Sequence, residues 1–371
     1  MIVIDDWSKL LDRPEICLEA AVLRATIEGR RVLITGAGGS IGRALTRTAS
    51  NWLPDRLVCL DSHEASLVHL QQQIRDYAGS VDVHYVLGDV RDQRKLEQIF
   101  RRFRIDVVFH LAAYKQVPLA EDNIDQVIGV NLVGTLNVLE AAVEHASAVL
   151  VYPSTDKAVH PPSIYGMTKR VAERMLLAVG RERTDPAVRV IRLVNVFGTQ
   201  GSVIELFAQQ IAAGQPLTIT DLRMDRYWIT MNEAVQLLLG AACQTEHPGI
   251  YMLDVGKPVL MTETARRVYA LLCPGRGDPQ FRLIGSRSGE RIHEELSYPS
   301  ETVVATRSPG LLRLAQPIMA RTAESWLGDL CRLRQIYYQY GSEQLRTWLV
   351  ERAVEEPPNG VQAPAAPGVD A

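Results

Sequence analysis

The sequence predicts an α/β protein with a doubly wound parallel sheet and a smaller C-terminal substrate-binding region. Three observations predict it. Short runs that are apolar throughout, such as Val32-Leu33-Ile34, alternate with amphipathic stretches from residue 31 to 194. A glycine-rich turn, Gly36 to Gly42, follows the first run directly, and the run 148–152 delivers a set of proton-handling side chains to its carboxyl end. Continuously apolar strands suit a sheet covered on both faces, and their alternation with helices requires parallel pairing through crossovers.

Composition narrows the function classes. With 371 residues, 47% of them hydrophobic, the chain can bury a sizeable core in one large or two modest domains. A net charge of -3 with no long basic run gives no electrostatic footprint for nucleic acid. Cys17, Cys59, Cys243, Cys273 and Cys331 are scattered with no C-x-x-C pair, which predicts reduced thiols and no metal site. No apolar run looks long enough to span a bilayer, so the expectation is a soluble cytoplasmic protein.

Taken in order, residues 1–29 form an extension in which Pro14 opens a helix running to Gly29. Arg31 to Thr35 is the first strand, and Gly36, Gly39, Ser40, Ile41 and Gly42 form the turn into the next helix. Strand, glycine turn and helix together are the dinucleotide-binding Rossmann pattern, in which the backbone approaches a pyrophosphate at a helix N-terminus. The second strand, 56–60, ends at Asp61, placed to bind the ribose hydroxyls of NAD and repel a 2′-phosphate. NAD is therefore favoured over NADP, with Arg43 the one side chain that argues the other way.

A helix over 63–77, a strand over 83–87, a helix over 93–103 and a strand over 107–111 continue the alternation. Asp89 and Val90 end the third strand and Ala112 and Ala113 the fourth, the former pair suited to an adenine and the latter small enough to admit the cofactor. Asn131 lies inside the next helix, where asparagine has no local advantage, and so is expected to bond to a neighbouring loop. The fifth strand, 148–152, is bounded by Pro153 and followed by Ser154-Thr155-Asp156-Lys157. Tyr165 and Lys169 lie four apart on one helix face, where an ammonium beside the phenol would bring a group of ordinary pKa near 10 toward use as a base. A sixth strand, 188–194, completes a Rossmann domain over 30–198, to which parts of 226–256 return. Residues 199–335 form the substrate-binding region, and 336–371 a helix from 343 to 354 with a Pro/Ala/Gly-rich disordered tail.

Thr35-Gly36-x-x-Gly39-x-x-Gly42, Asp89, Asn131, Ser154-Thr155 and Tyr165 with Lys169 resemble the extended short-chain dehydrogenase/reductases that act on nucleotide sugars. Ala112 to Leu119, Thr155-Asp156-Lys157-Ala158-Val159, Asn195 to Gly198, and Gly289-Glu290-Arg291 with Glu294-Glu295-Leu296 narrow the resemblance to the UDP-N-acetylglucosamine 4,6-dehydratases of polysaccharide biosynthesis. It covers roughly residues 10–300.

The resemblance implies a UDP-sugar substrate, NAD, self-association, and a catalytic set of Thr155, Asp156, Lys157, Tyr165 and Lys169. Tyr165 and Lys169 serve hydride chemistry; Lys157 acts as base at carbon 5 and Asp156 as acid at the 6-hydroxyl. Lys115, Asn195, Arg226, Arg287 and Glu290 would hold the substrate. For Asp156 and Lys157 to work as neutral acid and base, the site must offset the roughly 9 kcal/mol that separates that pair from the ion pair in water. His160 and Leu193-Val194 depart from the family pattern. Tyr165 resembles members that invert carbon 5 and the N-terminal extension resembles members that retain it, so the stereochemistry stays open. Two alternatives share the motifs: a nucleotide-sugar 4-epimerase, which has no use for Asp156 and Lys157, and a non-catalytic nucleotide-binding protein.

Overall fold

The computed structural model describes residues 6–11, 13–75, 79, 81–286, 289–316 and 321–354. Nine strands form the central sheet. They are β1 (Arg31–Thr35), β2 (Arg56–Asp61), β3 (Val83–Leu87), β4 (Val107–His110), β5 (Val149–Thr155), β6 (Ala187–Leu193), β7 (Gly249–Leu253), β8 (Thr302–Ala305) and β9 (Leu311–Ala315), in the spatial order β8-β9-β7-β6-β5-β4-β1-β2-β3. From β3 to β7 every pairing is parallel; β8 and β9 add an antiparallel edge. The order reverses between β1 and β4, the point at which open α/β sheets bind ligands. The predicted Rossmann sheet is thus present; β7 falls in the stretch 226–256 expected to return to it, and the sheet is larger than the sequence showed by β8 and β9, from the stretch 199–335 assigned mainly to substrate binding.

The principal helices are α1 (Ser40–Ser50), α2 (Glu64–Arg75), α3 (Gln93–Phe103), α4 (Ile124–Glu144), α5 (Ile164–Glu182), α6 (Val203–Ala212), α7 (Met231–Ala242), α8 (Met261–Leu272), α9 (Ala323–Ile336) and α10 (Ser342–Ala353). One apolar cluster, with Leu33, Val108 and Leu150 from the sheet, packs against α4, α5 and the C-terminal pair α9 and α10. A second cluster packs the other face under α1 and α7. A third, around Phe197, Phe207, Leu217 and Trp228, forms the substrate-side region, where the short strands Leu217–Ile219 and Phe281–Leu283 pair.

Three expectations need correction. Residues 14–29 do not form one helix; only Ala20–Arg24 is helical before the turn to β1. The amides of Ile16 and Leu18 instead donate to Glu233 (2.7 Å) and Gln236 (2.6 Å), and Arg13 pairs with Glu233 at 2.5 Å, so α7 satisfies the backbone that a helix would have satisfied itself. Second, β5 does not stop before Pro153 but runs to Thr155. It pairs with β4 only from Val149 to Val151 and with β6 throughout, leaving Pro153, which lacks an N–H, on a one-sided part of the ladder. Third, α4 is long and apolar enough to cross a membrane, but 83% of its apolar window is buried inside the fold, as befits a core helix. The predicted tail from 355 onward lies outside the described residues.

Candidate active site

The carboxyl ends of β1, β4, β5 and β6 open into a cavity of about 560 Å³ whose wall includes Gly36, Gly39, Ser40, Ile41, Gly42, Ala113, Lys115, Thr155, Lys157, Tyr165, Lys169, Asn195, Arg226 and Glu290. Local structure explains the cofactor end. Gly36 has φ +66°, and a Cβ there would lie 2.7 Å from the Ala112 nitrogen. A Cβ on Gly42 would lie 2.2 Å from the Gly36 carbonyl oxygen. Gly39 caps α1 without a side-chain bond to its first turn, leaving amides of Ser40 to Gly42 at the cavity edge. These features fit a dinucleotide pyrophosphate.

The remaining cofactor candidates stand behind the wall. The Asp61 carboxylate accepts from the Gly38 and His63 amides, both at 2.9 Å, and so holds the glycine turn. Asp89 is forked by Arg91 at 2.7 and 3.1 Å; its partial burial acts to raise its pKa, but the Arg91 hydrogen bonds bring it below the ordinary value. Val90 is buried where a Cβ on Gly134 would meet it, and Ala112 packs against Gly36. Asn131 bonds both the amide and the carbonyl of Tyr114, at 2.9 and 3.0 Å, so it fixes the loop after β4.

At the reactive end, β5 hands over to a single turn at Asp156–Ala158, capped by Thr155. The fully buried Asp156 accepts at Oδ1 from the Thr155 hydroxyl (2.8 Å) and from Lys157 Nζ (3.0 Å). Its Oδ2 has no partner. Sequence reasoning missed a second acceptor: Glu294 Oε1 lies 3.5 Å from Lys157 Nζ and 3.7 Å from Arg226 Nε. Burial alone would lower Lys157, as expected for a pair driven toward neutrality, but attraction to Asp156 and Glu294 outweighs it and Lys157 ends above its ordinary value. Lys157 therefore rests as an ammonium donating to Asp156. One proton shift along the 3.0 Å bond gives neutral amine and neutral acid.

Ser163 caps α5, accepting from the Gly166 amide at 3.2 Å, and sets Tyr165 on the cavity wall. Burial pushes the phenol up to about 12, against the lowering effects of Lys157 and the Thr155 hydroxyl. This corrects the expected pairing: Lys169 Nζ donates to the Pro153 carbonyl at 2.8 Å and sits 4.4 Å from the Tyr152 ring centre, and burial lowers it to about 7. The cation bearing on Tyr165 is Lys157. Tyr152 gave no sequence signal because it looks like strand core.

Of the substrate candidates, Asn195 donates to the Tyr227 carbonyl at 3.2 Å, and Arg226 spends its guanidinium largely on the carbonyls of Asp225, Arg291 and Ile292. Glu290 reaches the wall with an unpartnered Oε2. Lys115 lines the cavity with its side chain exposed, and desolvation by the surrounding wall lowers it. Arg287 lies outside the described residues.

Residues 32–316 match the family described as polysaccharide biosynthesis protein. The capsular polysaccharide biosynthesis protein CapD of Staphylococcus aureus is 34% identical over 79% of this chain and 49% of its own, so the chain spans about half the length of that relative. An inverting UDP-N-acetylglucosamine 4,6-dehydratase of Campylobacter jejuni is 32% identical, over 72% of this chain and 77% of its own. A UDP-glucose 4-epimerase of Rickettsia canadensis is 30% identical over 72% and 77%. Among solved structures, Pen from Bacillus thuringiensis superposes with a TM-score of 0.72 at 26% identity, covering 85% of this chain and 99% of that one.

Proposed function

The chain belongs to the polysaccharide biosynthesis protein family, and on that premise we propose that it catalyses the NAD-dependent 4,6-dehydration of a UDP-N-acetylhexosamine, first of all UDP-N-acetylglucosamine, to a 4-keto-6-deoxy sugar. The observation that carries this reading is the Asp156–Lys157 pair at 3.0 Å, in which the buried Asp156 stands behind Lys157, and Lys157 lines, with Tyr165, the cavity that the glycine turn also lines. An epimerase needs the phenol and the turn but has no task for a buried acid and base.

NAD, when bound, supplies the acceptor for hydride from carbon 4 and the donor that returns it to carbon 6. The chain does the proton work. Tyr165 takes the proton of the sugar 4-hydroxyl, and the Lys157 ammonium beside it stabilises the phenolate that must form. The carbon 4 ketone acidifies the proton on carbon 5. Lys157, having passed its own proton to Asp156, removes that proton as a neutral amine, and Asp156 protonates the departing 6-hydroxyl. Water leaves, and the pair is ammonium and carboxylate again; as carbon 6 becomes the methyl, Lys157 returns its proton to carbon 5, and the proton that Tyr165 took from the 4-hydroxyl then restores the ammonium, so none is drawn from solvent. Asn195 and Arg226 line the side on which the diphosphate would lie.

The test is incubation of the purified protein with UDP-N-acetylglucosamine and no added reductant, followed by mass and proton spectra of the product. Loss of one water with a 4-keto-6-deoxy sugar supports dehydration. An unchanged mass with a galacto-configured product overturns it in favour of epimerisation.

A further inference from the structure

We infer that Glu294 is a positioning residue that sets where the proton of the Asp156–Lys157 pair resides. The inference rests on the dehydratase reading but on a geometry that the reading does not use. Glu294 is remote in sequence, yet its side chain is only 4% exposed and its Oε1 stands 3.5 Å from Lys157 Nζ. It is also 3.7 Å from Arg226 Nε, whose Nη2 donates to the Arg291 carbonyl at 2.8 Å and whose Nη1 donates to that of Ile292 at 3.1 Å. Arg226 thus fixes the segment that carries Glu294.

The same segment is stitched to the reactive turn from its far side. The Tyr298 hydroxyl donates to the Ala158 carbonyl at 3.1 Å, and the His160 amide donates to that hydroxyl oxygen at 2.9 Å. Glu301, next along, accepts from the Tyr298 amide at 2.9 Å and from buried Arg192 of β6 at 2.5 and 2.8 Å. Lys157 and Glu294 are therefore held from both sides, which is what a charge must be if it is to tune a neighbour's proton affinity reproducibly.

Among the described residues, the charged and titratable groups facing Lys157 are Asp156, Glu294, Arg226 and Tyr165. The working state has one proton on the pair, placed on Asp156 with Lys157 neutral. A second proton disables the base and loss of the only proton disables the acid, so activity falls on both sides of a window. A fixed negative charge on Glu294 raises both limits, because it favours every protonated form of the pair. Removing that charge moves both limits to lower pH; an opposite charge at this range is typically worth about 1 to 3 pH units.

The test is kcat/KM for water loss from UDP-N-acetylglucosamine against pH, measured for the unaltered protein, E294Q and E294D. E294Q is expected to shift both limbs to lower pH by about one unit or more. E294D, which keeps the charge but withdraws it by one methylene, is expected to shift them the same way by less. Limbs that stay in place while the maximum falls would show that Glu294 only supports the fold and would overturn the inference. Should E294Q not fold, unmoved limbs in E294D overturn it equally. If the unaltered protein releases no water at any pH, the dehydratase reading fails, a result distinct from the failure of Glu294's role.

Discussion

Lys157, Asp156 and Tyr165 show what single side chains contribute and how far a sequence reveals them. Their identities and spacing were legible, and so was the prospect that burial would perturb them. The partners were not. Tyr165 and Lys169 share a helix face as predicted, yet the lysine turns to the Pro153 carbonyl and Lys157 is the cation that lowers the phenol. Two residues four apart on a helix can meet, but a carbonyl from a strand can claim one of them, and no spacing rule shows that. With the phenol held up at about 12, its deprotonation has to be driven inside the closed site rather than by bulk pH near neutrality. Tyr165→Phe removes the proposed proton acceptor while leaving the ring in the wall. We expect kcat to fall by about 10² to 10⁴-fold with KM for the UDP-sugar changed by only a few-fold; steady-state assays check this, and retention of most of kcat would remove Tyr165 from the role of base.

Elements were legible where one rule governed them. The strands β1, β2 and β4 are apolar through their centres, and the turn into α1 has glycine where the backbone needs it. Gly36 is the clearest case: its φ of +66° is a conformation that β-branched residues avoid, and a Cβ would collide with Ala112 at 2.7 Å. Gly36→Val is therefore expected to weaken NAD binding at least tenfold, read as quenching or enhancement in a fluorescence titration, and affinity equal to that of the unaltered protein would contradict the cofactor assignment. Elements were illegible where a distant segment governed them. Residues 14–19 have a helical pattern but give their amides to Glu233 and Gln236, and Pro153 ends a strand by local rules but continues one where β4 no longer pairs.

On the scale of the whole molecule, the fold joins two pieces of chemistry in one cavity. The parallel sheet supplies the glycine turn, Tyr165 and Lys169; the segments around Arg226 and Glu294 close over Asp156 and Lys157. The Rossmann core was legible because alternating elements leave few topologies. The second half was not, because its placement depends on a buried network, Arg192 with Glu173 at 3.0 Å and with Glu301, that joins residues far apart in the chain. Breaking such a network by removing one partner leaves an uncompensated buried charge, which is reason enough for the network to fix the segment on which Glu294 stands.

The central claim is that the hydride half and the water-loss half are separable, and that Asp156 with Lys157 carries the second, Lys157 touching the first only through its charge beside Tyr165. The most direct measurement follows Lys157→Ala with NAD and UDP-N-acetylglucosamine, recording NADH absorbance and product mass together. The account predicts that oxidation at carbon 4 persists, slowed by loss of the Lys157 charge beside Tyr165 but still seen as NADH absorbance, while no product lighter by one water forms. Continued release of water by Lys157→Ala would contradict it.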